Sequence, residues 1–142
     1  MTANGMPAPG FAASAPCAPP TGNLVPLMHE IRHALTRWLE QGEKRVIDLR
    51  SIPLAPGEED RLLEQLGEGE VTARLSIQGP SDIIETRYPG VWLVTHYDEN
   101  ESIMGRFIEV CEVPGMLTSQ ADDIRAGLER LEDQLSNAET TS

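Results

Sequence analysis

Aromatic side chains are scarce in this 142-residue chain, at 4% of the total. A core without them must be built mainly from Leu, Ile and Val. Cysteine is scarcer still: Cys17 and Cys111 stand in different contexts and form no C-x-x-C pair, which excludes reading a disulfide framework from the sequence. A reducing compartment is then the default. Basic residues are few, 11 against 23 acidic, for a net charge of −12. So acidic a surface repels phosphate backbones and anionic lipid, which argues against nucleic acid and polybasic membrane contacts. It attracts a basic partner, and it also serves plain solubility. No apolar run approaches the roughly 20 residues needed to cross a bilayer. Residues 1–22 carry no charged side chain. They therefore lack the basic start of a secretory signal, and they have no continuous apolar core. The expectation is a soluble cytoplasmic protein.

What is present is ordinary for a globular chain: 39% apolar and 24% charged residues. The length suits one domain with one core. Residues 1–22 hold Pro7, Pro9, Pro16, Pro19 and Pro20 among Ala, Gly, Ser and Thr. Such a segment buries too little apolar surface to offset its ordering entropy, so it reads as a disordered tail, with Cys17 incidental in it. Residues 23–136 read as a single domain, and residues 137–142 as a polar, frayed tail.

Within that domain the spacing predicts a helix over 24–41. Asn23 is its N-cap, Pro26 lies in its first turn and Gly42 ends it. Leu24, Leu27, Met28, Ile31, Leu35, Trp38 and Leu39 form its apolar face. A short strand follows at 46–49, then a helix at 56–66. Glu58, Glu59 and Asp60 suit the positive end of its dipole, and Gly67 closes it. Alternation predicts strands at 71–77, 83–88, 91–97 and 103–112, joined by short turns. Consecutive strands with short turns make an antiparallel meander. A last helix over 119–135, capped by Ser119, aligns Ile124, Leu128, Leu131 and Leu135 on one stripe. That stripe either covers a face of the sheet, the favoured reading, or pairs with a helix of another copy. The expected fold is α+β: an antiparallel meander sheet of four to five strands with helices packed on it.

Catalytic signatures are missing: no G-x-S-x-G elbow, Walker A loop, dinucleotide fingerprint or H-E-x-x-H occurs. Gly67-Glu68-Gly69-Glu70 is glycine-rich, but carboxylates stand where a phosphate loop needs amides or Lys. His29 and His33 share a helix face without an evident third ligand, which favours a solvated face over a metal pair. Cys111 and His96 lie on strands expected to pair and so offer a soft-metal alternative. A small buried Cys111 is the favoured reading. Tyr88 and Trp92 flank the Pro89-Gly90 turn, where they either dock a partner or close the core.

Two stretches resemble a known family. They are Leu66-Gly67-Glu68-Gly69-Glu70-Val71-Thr72-Ala73-Arg74 and Tyr88-Pro89-Gly90-Val91-Trp92-Leu93-Val94-Thr95-His96, the latter followed by Phe107-Ile108-Glu109-Val110 and Pro114. With Ile47-Asp48-Leu49-Arg50-Ser51-Ile52-Pro53-Leu54 ahead of them, they look like the C-terminal domain of the HupH/HyaF-type family of nickel–iron (NiFe) hydrogenase expression and maturation proteins. Longer HupH proteins carry a second region before this domain, so the chain looks more like the short HupJ/HoxT-type relatives.

The resemblance implies a non-catalytic, chaperone-like accessory protein without cofactor. Its expected partner is the hydrogenase small subunit, which carries the iron–sulfur clusters, as a precursor with its basic twin-arginine leader. Other maturation accessory proteins and a second copy of the chain are further expected partners. The residues expected to meet a partner are Glu68, Glu70, Tyr88, Trp92, His96 and Glu109. The alternative is a metal or iron–sulfur carrier in the same pathway using Cys111 and His96.

Overall fold

The computed structural model describes residues 22–76 and 79–141. The Ala/Pro-rich segment up to residue 21, Cys17 within it and Ile77 lie outside the described residues. The chain separates into two compact units, the first ending at Glu112 and the second running over Val113–Ser142.

The first unit opens with helix α1 (Leu24–Gln41), followed by strand β1 (Arg45–Asp48) and a 3-10 turn (Leu49–Ser51). Helix α2 (Glu58–Leu66) comes next, then β2 (Thr72–Leu75), β3 (Ser81–Glu85), β4 (Val91–Tyr97) and β5 (Ile103–Val110). The five strands form one sheet in the order β1-β5-β4-β3-β2, and every neighbouring pair is antiparallel. Strands β2 to β5 are the expected meander, and β1 adds to its far edge. The fold is α+β, as the sequence pattern implies.

Alternation along the strands sorts side chains to two faces. Val91, Leu93, Ile108, Val110 and Ile47 share one of them by register. Leu27, Ile31 and Ala34 of α1 and Leu62 and Leu66 of α2 are buried with these residues in the core. Helix α1 matches its expected bounds, and Gly42 closes it in the left-handed conformation with its N–H on Trp38 O at 2.8 Å. Asn23 stands at the expected position, but its side chain does not cap the helix. Its Nδ2 donates instead to Pro53 O at 2.9 Å, pinning the start of α1 to the following loop. Leu39 is exposed and lies off the buried face. Helix α2 is held at its start by Glu58, whose buried carboxylate accepts the Ala55 N–H at 2.9 Å.

The second unit holds a 3-10 turn (Gly115–Leu117) and helix α3 (Ala121–Thr141). The helix begins after Ser119, with Ile124 N–H on Gln120 O at 3.0 Å, so Ser119 is not its cap. It also runs through Asn137 to Thr141, where the sequence suggests a frayed tail. Ile124, Leu128, Leu131 and Leu135 are 52% to 59% exposed. Among the described residues no helix is long and apolar enough to cross a membrane.

Candidate functional site

Three elements of the first unit enclose an open, largely apolar cleft of about 470 Å³. Val25, Met28, His29, Arg32 and Leu35 line it from α1, Gln65 from the last turn of α2, and Tyr88 from the β3–β4 turn. Tyr88 is 41% exposed, so its ring is available at the wall of the cleft.

The turn that carries Tyr88 is braced from below. Val91 N–H donates to Tyr88 O at 2.9 Å, and Gly90 takes a φ of 92° that excludes most side chains. A Cβ at Gly90 would stand 3.4 Å from Leu35 Cδ2, so the turn sits close against α1. The buried Thr86 hydroxyl donates to Val91 O at 2.8 Å and accepts the Tyr88 N–H at 3.2 Å. Thr86 is a positioning residue that carries no sequence signal of its own, because a lone Thr in a strand pattern reads as filler.

The acidic loop follows the cleft wall directly along the chain. Gln65 lines the cleft, and the chain leaves α2 at Leu66 directly into Gly67-Glu68-Gly69-Glu70. That loop runs beside the end of β3. Arg87 N–H donates to Leu66 O at 2.8 Å, and Gly69 N–H to Glu85 O at 2.7 Å. Glu70 N–H reaches the Glu85 carboxylate at 3.1 Å. Arg87 Nη2 also donates to Glu64 O at 3.2 Å, placing a cation at the negative end of α2. The two glycines answer to geometry. Gly67 has a φ of 64°, and a Cβ on Gly69 would meet Thr86 O at 2.6 Å. The side chains of Glu68 and Glu70 are exposed.

Trp92, Glu109 and His96 share the sheet face opposite to that of Val91, Leu93 and Ile108. Trp92 pairs with Glu109 and His96 with Gly105, while Glu85 pairs with Trp92 from β3. Trp92 is only 5% exposed, and its indole N–H donates to Cys111 O at 3.2 Å. This corrects the reading of Trp92 as a surface anchor: it closes the core. His96 Nδ1 lies 2.6 Å from Ser81 Oγ, and its ring meets Phe107 edge-on at 5.6 Å. Burial pushes the Glu109 carboxyl above its ordinary range, with His96 and Lys44 pulling partly back.

Cys111 and His96 do not meet. Cys111 N–H donates to Gly90 O at the start of β4, whereas His96 pairs with Gly105 near the other end of that strand. At about 3.3 Å per residue the two are roughly 20 Å apart. The expected carrier site shared by Cys111 and His96 is thus overturned within one chain, because the β4–β5 register separates its ligands. Cys111 is 2% exposed, and burial, then Glu109, push its thiol up, with Lys44 acting weakly the other way. A raised thiol is a poor soft-metal ligand at neutral pH. Among the described residues no group of three or more His, Cys, Asp or Glu stands together to hold a metal ion. His29 and His33 are exposed, each within 3.5 Å of Arg32 Nη2, whose positive charge disfavours a cation between them.

Sequence reasoning found Tyr88 and the acidic loop but missed the α1 wall. A signal for it was there. Val25 adds to an already wide apolar arc, and Arg32 and Arg37 set two cations on one helix of an acidic chain.

Comparison with known proteins places this architecture. Residues 22–138 match the family described as the HupH hydrogenase expression protein, C-terminal conserved region. The hydrogenase expression/formation protein HoxQ of Azotobacter vinelandii is 29% identical over 111 residues, covering 77% of this chain and 39% of that protein. HupQ of Azotobacter chroococcum, of the same description, is 30% identical, with 77% and 39% covered. The solved structure of the hydrogenase expression protein HupH from Thiobacillus denitrificans superposes with a TM-score of 0.80 at 37% identity, covering 84% of this chain and 99% of that one. The chain spans about two fifths of the length of the curated relatives it matches, 39% for each of the two named. With the match extending over both units, the chain belongs to the HupH family of hydrogenase expression proteins.

Proposed function

We propose that this chain is a non-catalytic, chaperone-like accessory protein of hydrogenase maturation that holds the precursor of the iron–sulfur small subunit by its leader, in the cytoplasm before export. The observation that carries this reading is that the chain passes from Gln65 in the wall of the apolar cleft, through Leu66, directly into the exposed Glu68/Glu70 loop. A twin-arginine leader, like other export signals, sets basic residues ahead of an apolar run of about 7–15 residues. The apolar run fits the cleft between α1 and Tyr88, and the arginines meet the exposed carboxylates beside it. Hydrophobic burial supplies affinity, while the net charge of −12 speeds encounter and orients the leader. Arg32 on the α1 side disfavours the reverse orientation, which would bring the leader's arginines against it.

The test is a titration of a fluorescent peptide carrying the leader's basic pair and apolar run, backed by capture of the small-subunit precursor from hydrogenase-expressing cells. The native chain binds both. Glu68→Lys/Glu70→Lys and Met28→Glu each weaken peptide binding about tenfold or more, with the circular dichroism spectrum unchanged. Raising salt weakens the native complex. Binding that ignores salt and both variants overturns leader recognition at this site, and failure to capture the precursor overturns the small subunit as client.

A further inference from the structure

We infer that α3 is a self-association helix that pairs antiparallel with α3 of a second copy of this chain. The apolar residues of α3 follow a spacing of four, three and four through Ile124, Leu128, Leu131 and Leu135. That is the a/d seam of a coiled coil, narrower than the stripe of a helix lying on a globular core. With Leu128 and Leu135 at a and Ile124 and Leu131 at d, Ala121 and Ala138 extend the seam at both ends. The four large residues are all more than half exposed, although helices of this kind owe their stability to burying the apolar face.

Charge decides the direction. In a parallel pair, the e positions Arg125, Glu132 and Glu139 face the g positions Gln120, Gly127 and Gln134, so no opposite charges meet. In an antiparallel pair, Leu128 layers with Leu131 of the second copy, Ile124 with Leu135, and Ala121 with Ala138. The e positions then face each other, and Arg125 meets Glu132 twice, once on each side of the two-fold axis. Arg125 already reaches Asp122 at 2.7 Å within its own helix, in solvent, so it can bridge both carboxylates. The arrangement is isologous and closes at two copies.

Two other acidic residues, Asp122 and Asp123, sit in the first turn, and no basic residue sits in the last turn. In the antiparallel pair each acidic first turn lies beside the far end of the other helix, so the two acidic starts are kept apart. In a parallel pair they would stand side by side and repel.

Sedimentation equilibrium of the full chain tests the pairing. The native protein forms a dimer, and Leu128→Glu shifts it to monomer by about 100-fold or more in dissociation constant. Arg125→Glu and Glu132→Arg each weaken the dimer several-fold, and the double swap Arg125→Glu/Glu132→Arg restores it. In a Cys17→Ser background, mixing Leu128→Cys chains with Leu131→Cys chains gives a disulfide-linked heterodimer under mild oxidation, while neither alone cross-links efficiently. A monomeric native chain overturns self-association. Efficient cross-linking of Leu128→Cys to itself, or a charge swap that fails to rescue, overturns the antiparallel register. Retention of the dimer in Leu128→Glu assigns pairing to another surface and overturns the role of α3.

Discussion

The indole N–H of Trp92 donates to the carbonyl of Cys111 at 3.2 Å, tying the start of β4 to the end of β5. Both residues are buried, and both carry chemistry that a sequence reading is tempted to spend on function. Their contact assigns them to the core instead. Trp92→Phe keeps most of the packing and loses the hydrogen bond, for a cost of about 1 kcal/mol. Trp92→Ala opens a cavity and costs about 3–5 kcal/mol. Urea unfolding measures both. On the proposed reading, affinity for the leader peptide is the same in folded Trp92→Phe as in the native chain, because the indole is buried.

Most of the fold was legible because its signals are periodic. The α1 repeat of Leu27, Ile31 and Ala34 is buried as one stripe, and Gly42 stops the helix where a left-handed residue is needed. Strands β2 to β5 are marked by turns whose geometry demands Gly or a polar residue, as at Gly90 and Asp98. Trp92 was not legible. It lies in β4, the central strand of the sheet, where Val91, Trp92, Val94 and Thr95 are buried on both faces, so alternation no longer tells inside from outside. The cleft was legible only in pieces. Tyr88 announces itself beside a turn, but its neighbours Val25, Met28 and Leu35 are more than 50 residues earlier, and only tertiary packing brings them together.

Gly69 is fixed by contact, not by backbone sign. Its Cβ would stand 2.6 Å from Thr86 O and 2.7 Å from Glu85 Oε1. One of these is backbone and cannot swing away. Gly69→Ala therefore forces the acidic loop off β3 and costs about 1–3 kcal/mol. The measurement is thermal unfolding together with hydrogen exchange at Glu85. Its N–H donates to Val71 O at 2.9 Å, and the variant exchanges faster there. Native exchange at Glu85 in a destabilised Gly69→Ala protein would place the strain elsewhere.

Arg106 links α2 to the sheet. Its Nη1 lies 2.6 Å from Glu59 Oε2, and its Nε donates to Thr95 Oγ1 at 3.1 Å. The side chains are 15% and 30% exposed, so this pair is better shielded than an exposed pair such as Arg37–Glu43. A double-mutant cycle with Glu59→Gln and Arg106→Met gives a coupling of about 1 kcal/mol. The same cycle on Arg37 and Glu43, which are 61% and 52% exposed, gives about 0–0.5 kcal/mol. Equal couplings for the two pairs would show that shielding adds nothing at Arg106.

Glu109 gives the protein a pH dependence of definite sign. Burial raises its carboxyl above the ordinary value of 4.5, so the folded state holds the proton more tightly than the unfolded chain does. Its contribution is most favourable below the unfolded value and is lost as pH rises through the folded one. Ionising Glu109 in the folded state places a desolvated carboxylate beside Trp92, which His96 and Lys44 offset only in part. Glu109→Gln removes that charge while keeping the shape. The variant is more stable than the native chain at pH 7, and its advantage shrinks as pH falls towards 4, where the native carboxyl is itself neutral. Urea midpoints of the two proteins, measured across that range, test the sign. An advantage that is constant with pH would mean that the substitution acts through packing, and a disadvantage at pH 7 would mean that His96 and Lys44 outweigh the cost of burial.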